Sequence, residues 1–241
     1  MERIHPAAED AGCIQERAHE RAEQIQEKAM KYIIMCGGHY KKWKEPRQLI
    51  KVKGECLVER TIRLLRENGI EDIAISSDNP VFTGFGVPLL IHDNDYYARK
   101  YNDMDGYWCN CFYPMDDPAC YLMGDVLFSP EAISTIVKTE TNDIMLFGSK
   151  APFAPEYPKE YREPFAFKVA DQDHLHRAIR QVKRLDRLGA FRRKPIAWEL
   201  WSVIRGTNPN RVNKHYVAIN DYTCDIDNPE DIEKVIKNVR G

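Results

Sequence analysis

The feature that most constrains the fold of this chain is a strand–helix–strand pattern in its first third. Residues 32–36, YIIMC, form a short apolar run typical of a buried strand, and the run leads directly into Gly37. Apolar residues recur at helical spacing over 57–68, and 72–77 is predicted to be a second buried strand. Two strands joined by one helix form a βαβ unit, whose right-handed crossover places both strands parallel in one sheet.

The remaining sequence continues this alternation of strands and helices. The segments SPE at 129–131 and NPE at 228–230 each place a helix cap before a first-turn proline and acid. Because no stretch has the composition of a linker, 31–241 is predicted to form one α/β domain. Further strands are predicted at 88–92, 119–123, 143–147, 164–169 and 215–219, and further helices at 171–188 and 195–204.

Residues 1–30 differ from the rest because they hold no strand-like run and are dense in good helix formers. A thin apolar stripe from Ile14 to Ala29 predicts a helix over about 12–30. This helix either docks on the domain or pairs with another copy of the chain, as in a homodimer, and a solvated extension is the alternative. The predicted organisation is a helical extension, 1–30, followed by the domain, 31–241.

Composition excludes several classes of protein. With 43% hydrophobic and 30% charged residues the chain is not mostly disordered, and a net charge of −2 argues against a nucleic-acid partner. No apolar run is long enough to span a bilayer, and the first residues lack the apolar core of a signal peptide. The expected location is therefore the cytoplasm, with no membrane partner.

The seven cysteines lie at irregular spacings. An odd number in a cytoplasmic chain of this length favours buried, reduced thiols over a disulfide framework. A zinc site built from Cys109, Cys111, Cys120 and His92 is the alternative, but these residues lack the paired two-residue spacers of common zinc motifs.

The residues after the first predicted strand have the composition of a phosphate-binding loop. Gly37 and Gly38 allow the backbone to approach a ligand closely and to direct its N–H groups at anionic oxygens. The segment leaves the carboxyl end of a strand, where open α/β sheets bind ligands. It matches neither the P-loop nor the dinucleotide-binding pattern, and a basic surface turn is the alternative. Four cations follow the glycines: Lys41, Lys42, Lys44 and Arg47.

Three segments resemble, in the same order, the motifs of the nucleotidyltransferases that activate sugar phosphates, polyol phosphates or related acids. Residues 46–57 contain PRQL and GECL where that family has Pro-Lys-x-Leu and Gly-x-Pro-Leu. YLMGDVLF at 121–128 resembles the family's strand that ends in a metal-binding aspartate. CDIDNPEDI at 224–232 resembles its closing Asp-x-Asp-Thr-Pro-Glu-Asp-Leu segment. The resemblance spans 31–239 and is weakest at 93–118 and 149–214, where family members differ by substrate.

The resemblance implies a single Rossmann-like, three-layer α/β domain with a mixed, mostly parallel sheet, of the nucleotide-diphospho-sugar transferase type. It implies a magnesium-dependent enzyme that joins the NMP part of an NTP to a phosphorylated or acidic small-molecule acceptor and releases pyrophosphate. CTP is favoured because the closing segment is most similar to that of cytidylyltransferases, and a molybdenum-cofactor type guanylyltransferase is the next alternative. An ionised phosphate acceptor needs no general base, in agreement with the lack of an evident catalytic histidine.

The resemblance also implies roles for individual residues. The metal ligands for Mg²⁺ are Asp125 with Asp225 or Asp227. Asp105 and Gly106 are assigned near the base by their position alone. The catalytic cations are Arg47, Lys41 and Lys42, and the other nucleotide-binding residues are Met35, Cys36, Gly37, Gly38 and His39.

Other interpretations stay open. Asp125 is also explained as a turn cap and Asp227 as a helix cap. Arg47, which stands where the family has lysine, and the N-terminal extension are compatible with a non-catalytic nucleotide-binding or regulatory protein. A nucleotide-sugar glycosyltransferase of related fold is a further alternative.

Two sets of residues are predicted either to bind a second substrate or to have ordinary structural roles. The first set lies on one helix face: Arg177, Arg180, Arg184 and Arg187. The second set lies on the next helix: Trp198, Glu199 and Trp201.

Overall fold

The computed structural model of the protein describes residues 29–37, 43–92, 107–150, 162–211 and 215–226. The strands within these ranges are β1 (Lys31–Met35), β2 (Lys51–Val52), β3 (Glu55–Cys56), β4 (Ile73–Ser77), β5 (Leu89–Ile91), β6 (Ala119–Met123), β7 (Val126–Leu127), β8 (Ile144–Ser149), β9 (Pro164–Val169), β10 (Val217–Ile219) and β11 (Cys224–Asp225). The helices are α1 (Leu57–Glu67), α2 (Pro130–Lys138), α3 (Gln172–Arg187) and α4 (Ala197–Ile204). Short 3-10 turns lie at Arg47–Leu49, Pro80–Phe82 and Trp108–Cys111.

Seven of the strands form one sheet in the order β10-β8-β9-β6-β1-β4-β5. β9 runs antiparallel to both of its neighbours, and every other pairing in this sheet is parallel. The sheet is therefore mixed and mostly parallel, which confirms the fold class predicted from the sequence. Because all its strands except β9 point the same way, their carboxyl ends and the start of β9 lie along one edge of the sheet.

Helices cover both faces of this sheet. Successive residues of β1 point to opposite faces, so Ile34 packs in a cluster with α1 and α2 while Ile33 packs in a cluster with α3 and α4. Because β1 is covered on both faces, nearly all of its residues are buried, as its unbroken apolar run predicts. Two helix layers with a sheet between them are the three layers of a Rossmann-like domain.

Local signals placed most elements within two residues of their observed bounds. β6 and β9 coincide with the predicted strands at 119–123 and 164–169, whereas the strand predicted at 215–219 is shorter, Val217–Ile219. The α2 helix begins after Ser129, whose hydroxyl accepts a hydrogen bond from the Ala132 amide at 2.9 Å. The α3 helix begins after Asp171, whose carboxylate accepts from the His174 amide at 2.8 Å.

Two predicted helices fall outside the described residues, namely the one that begins after 228 and most of the one over 12–30. Ala29 and Met30, the described end of the second, have no regular structure. The boundary between an extension and a domain at residue 30 therefore stays a prediction. In the part of the chain that the structure describes, no helix has the length and apolar character needed to cross a membrane.

A buried lysine on β9 joins the sheet to a helix. Lys168 is 7% exposed, and its ammonium group donates to the carbonyls of Ile136, Val137 and Thr139 at 3.1, 2.9 and 2.7 Å. Carbonyls at the carboxyl end of a helix have no partner within the helix, so the lysine satisfies groups that α2 leaves unpaired. Burial lowers the pKa of Lys168, and the negative end of the helix dipole favours its charge.

Candidate functional site

The end of β1 is held between its neighbours at the carboxyl edge of the sheet. The Cys36 amide donates to the Ser76 carbonyl at 2.9 Å, and the Ser77 hydroxyl donates to the Cys36 carbonyl at 2.9 Å. On the other side, the Gly124 amide donates to the Met35 carbonyl at 3.0 Å. These hydrogen bonds determine where the chain leaves the sheet and enters the glycine-rich segment.

Met35 and Cys36, which we predicted to bind nucleotide, are buried within this arrangement, with exposed fractions of 6% and 3%. Burial raises the pKa of the Cys36 thiol well above its ordinary value, and the nearby Asp125 carboxylate adds to the shift. The thiol is therefore protonated and unreactive. We expect both residues to position Gly37, which follows them, rather than to contact a ligand through their side chains.

Gly124 allows Asp125 to lie directly beside the end of β1. A Cβ atom on Gly124 would lie 2.5 Å from the Met35 carbonyl oxygen and 2.8 Å from the Cys36 sulfur. Both distances are shorter than real Cβ contacts, so the backbone can approach β1 this closely only because residue 124 has no side chain. The glycine before the aspartate is thus a packing requirement of this region.

A two-stranded ribbon brings the closing segment of the chain to Asp125. β7 and β11 pair antiparallel, with Asp225 opposite Val126. The Ile226 amide donates to the Asp125 carbonyl at 3.1 Å, which extends the ladder by one pair. The aspartates that the sequence places 100 residues apart are therefore neighbours along one ladder.

The register also decides where each carboxylate points. Opposite residues of an antiparallel ladder share a face, and successive residues alternate between faces. Asp125 therefore shares a face with Ile226, whereas Asp225 shares the other face with Val126. The Asp225 backbone amide donates to Glu163 Oε2 at 3.0 Å. The carboxylates of Asp125 and Asp225 thus start from opposite faces of the ribbon.

Arg47 completes the arrangement around Asp125. It begins the 3-10 turn that follows Pro46, and its Nη2 atom donates to Asp125 Oδ2 in an ion pair. Its Nη1 atom donates to the Ile226 carbonyl at 3.1 Å. The side chains of Arg47 and Asp125 are 11% and 22% exposed, so little water screens their charges. One guanidinium group therefore connects the basic segment, the aspartate after β6 and the closing segment.

Seven of the predicted site residues lie outside the described part of the chain: Gly38, His39, Lys41, Lys42, Asp105, Gly106 and Asp227. Within the described part, no group of three or more His, Cys, Asp or Glu side chains could hold a metal ion. Cys109, Cys111, Cys120 and His92, the residues considered for zinc, therefore form no such group. The His92 ring instead has its Nε2 atom 2.7 Å from the Asn110 carbonyl oxygen. The six described cysteines are free thiols, and Cys111 is the one among them that is not fully buried.

A buried acid that no sequence pattern indicated lies at the same edge of the sheet. Glu163 is 1% exposed and comes directly before β9. Besides accepting from the Asp225 amide, it donates its own amide to the Ser149 hydroxyl at 3.0 Å. It ends a proline-containing stretch with no periodic pattern, so nothing local marks it as buried. Its place at this edge follows from the reversed direction of β9, which starts where the other strands end.

Trp198 lies near the end of β8, at the same edge. Its ring meets the Tyr216 ring edge-on, with centroids 5.2 Å apart, and the Arg162 guanidinium lies 5.6 Å from the Tyr216 centroid. The Tyr216 hydroxyl donates to the Ser149 carbonyl at 3.0 Å. These contacts place one cation and two aromatic rings beside the end of β8.

The other residues of the two ambiguous sets have structural surroundings. Trp201 is 1% exposed and packs in the core, and Glu199 is buried and paired with Arg193 at 2.8 Å. Of the three α4 residues considered for a second-substrate pocket, Trp198 is therefore the one that remains a candidate. The four arginines of α3 are all exposed, as expected of a solvated helix surface: Arg177, Arg180, Arg184 and Arg187.

The fold of this chain is similar to that of nucleotidyltransferases of known structure, which confirms the fold expected from the motifs. The inositol-1-phosphate CTP transferase from T. maritima has a TM-score of 0.50 at 16% identity, over 89% of this chain and 99% of that chain. A protein assigned as a glucose-1-phosphate thymidylyltransferase from Bacillus anthracis has a TM-score of 0.50 at 18% identity, over 87% and 94% of the two chains. The phosphocholine cytidylyltransferase LicC from Streptococcus pneumoniae has a TM-score of 0.47 at 17% identity, over 87% and 99%.

At these identities the likeness is one of fold. No protein-family model matches the sequence, and no curated protein matches it either.

Proposed function

We propose that this protein is a nucleotidyltransferase that joins an NMP unit to a phosphorylated or acidic small molecule and releases pyrophosphate. The observation that carries the proposal is the contact of Arg47 with both Asp125 and the Ile226 carbonyl at the carboxyl edge of the sheet, beside the end of β1. Each of the three comes from one of the motifs that the sequence shares with this family. A charged site at the carboxyl ends of parallel strands is where open α/β sheets bind nucleotides.

The residues of this chain would act mainly by positioning and by charge. An acceptor oxygen attacks the α-phosphorus in line with the departing pyrophosphate, and an ionised phosphate acceptor needs no base. The backbone of Gly37 and Gly38 would bind phosphate oxygens, with Lys41, Lys42 and Arg47 as the neutralising cations. His39, Asp105 and Gly106 are proposed to line the rest of the nucleotide site.

The residues around Asp125 fit a magnesium ion. The Asp125 carboxylate already binds one cationic group, the Arg47 guanidinium, and it stays partly exposed at the edge of the sheet. Mg²⁺ takes oxygen ligands and is usually bound by one or two carboxylates together with substrate phosphates. We propose Asp125 as the main protein ligand. Of the two second ligands expected from the sequence, Asp225 or Asp227, we retain Asp227, because the ribbon starts the Asp225 carboxylate from the opposite face to that of Asp125. A bound magnesium ion would neutralise charge on the phosphates.

CTP is the nucleotide we propose first, because of the closing CDIDNPEDI segment. For the acceptor we propose the region beside the end of β8, where Arg162 offers a positive charge and Trp198 an apolar surface. We also propose a cytoplasmic location, where a reducing environment keeps cysteines such as the six described here as thiols.

The direct test is to incubate the purified protein with Mg²⁺, each of the four NTPs singly, and a panel of phosphorylated metabolites, and to measure pyrophosphate. We expect pyrophosphate to be released with one of the four NTPs and with a narrow set of acceptors. Asp125→Asn should lower turnover by about 100-fold or more, because it removes a charge that would hold the metal. Asp173→Asn, an exposed aspartate on α3, is the matched control and should keep full activity.

The outcomes distinguish the alternatives. Nucleotide binding without pyrophosphate release would favour a non-catalytic binding protein, for which the engagement of Asp125 by Arg47 is the supporting observation. Release of a nucleoside diphosphate from a nucleotide sugar would favour a glycosyltransferase. Full activity in the Asp125→Asn variant would remove Asp125 from the site.

A further inference from the structure

Arg47, which we propose to bind the triphosphate, has two partners within the protein. Both terminal nitrogens of its guanidinium are engaged within the protein, Nη2 with Asp125 Oδ2 and Nη1 with the Ile226 carbonyl. The acid it contacts is the one proposed to bind the metal. At least two of the five N–H donors of the guanidinium are therefore used within the protein, and one of them pairs with the carboxylate that would bind the cation.

The pair is also shielded from water. With side chains 11% and 22% exposed, the attraction between the two charges is screened less than that of a surface ion pair. A divalent cation approaching Asp125 would meet a positive charge already in contact with the carboxylate. The guanidinium and the cation are thus competitors for one carboxylate, and each must weaken the binding of the other.

We propose that Arg47 is the resident counter-ion of Asp125, and that a divalent cation binds there only when Arg47 exchanges the carboxylate for phosphate oxygens of the nucleotide. This inference rests on the proposed function. It means that the free protein binds the cation weakly and takes it up together with the nucleotide. It also gives a physical reason for arginine where the family has lysine, since the planar fork can contact Asp125 and the Ile226 carbonyl together while an ammonium group is a point charge.

The test is direct binding of Mn²⁺ to the full-length protein without nucleotide, measured by electron paramagnetic resonance of the free ion. Mn²⁺ takes the same oxygen ligands as Mg²⁺. Removing the competing charge in Arg47→Gln or Arg47→Met should tighten Mn²⁺ binding by about tenfold or more. Two neutral variants are used in case Arg47→Met folds poorly. In Arg47→Gln the new side chain can still donate to the Ile226 carbonyl, so this variant retains one of the native contacts. Arg47→Lys retains the charge and should bind Mn²⁺ about as weakly as the wild type.

Two controls assign the effect to this pair. Arg63→Gln changes the net charge equally and removes an arginine that pairs with other carboxylates, those of Glu55 and Glu67. It should leave Mn²⁺ affinity unchanged. Adding Asp125→Asn to either neutral variant should abolish the gain.

Equal Mn²⁺ affinity in the wild type and both neutral variants would overturn the inference, as would a gain that survives Asp125→Asn or that Arg63→Gln reproduces. Pyrophosphate release is a separate measurement. If the wild type releases pyrophosphate while its Mn²⁺ affinity does not depend on Arg47, the proposed function stands and this inference fails. If the neutral variants bind Mn²⁺ more tightly but no nucleotide is turned over, the competition stands and the proposed function fails.

Discussion

Gly124→Ala tests whether the close approach of Asp125 to β1 is required for the site. The new Cβ would lie 2.5 Å from the Met35 carbonyl oxygen, 2.8 Å from the Cys36 sulfur and 3.0 Å from Gln48 Cγ. Relief requires a shift of at least 0.5 Å, because Cβ contacts essentially never fall below 3.0 Å. The closest contact is a backbone carbonyl within the central sheet, which cannot rotate away as a flexible side chain could.

Overpacking of this kind destabilises a protein by about 1–3 kcal/mol, and we expect the upper part of that range because a backbone atom is involved. For a chain of this size the melting temperature should fall by about 5–10 °C. Displacement of Asp125 should also lower kcat/KM by about 100-fold at temperatures where the variant is folded. Thermal unfolding and the pyrophosphate assay measure the two effects.

Cys36→Ala provides an internal control because it removes the sulfur contact but leaves the carbonyl contact. In the double variant, the loss of unfolding free energy should be smaller than the sum of the two single losses, because the substituted side chains touch. A melting temperature for Gly124→Ala equal to that of the wild type would refute the steric argument. Normal activity in a clearly destabilised variant would refute the link between this packing and Asp125.

Two further predictions concern stability. Lys168→Met should lower the free energy of unfolding, measured by urea denaturation, by about 2–3 kcal/mol, because it leaves the carbonyls at the end of α2 without the lysine donor. An unchanged free energy of unfolding would contradict the capping role of Lys168. Glu55 has a pKa below its ordinary value of 4.5, mainly because its carboxylate accepts a hydrogen bond from Arg63. The ionised Glu55 therefore contributes to the free energy of unfolding at neutral pH, and this contribution is lost as the pH falls through the folded-state pKa. Since the Glu55–Arg63 ion pair is partly exposed, its contribution to stability should be below about 1 kcal/mol. The difference in unfolding free energy between the wild type and Arg63→Gln should therefore shrink in acid. A difference that stays constant with pH would contradict this.

The strands and helices could be predicted because their signals are local. The apolar run of β1 shows within five residues that this strand is buried on both faces. The caps at Ser129 and Asp171 specify where α2 and α3 begin through contacts only three residues away. The glycine before Asp125 and the order of the three motifs were likewise sufficient to indicate a nucleotidyltransferase fold.

Only the tertiary structure decided how the site is arranged. The reversed direction of β9 brings Glu163 to the edge where the parallel strands end, and the register of β7 with β11 separates the carboxylates of Asp125 and Asp225. The contact between Arg47 and Asp125 joins residues 78 positions apart. Contacts of this kind depend on backbone pairing between segments distant along the chain, and the periodicity, capping and composition of a local segment contain no information about such pairing.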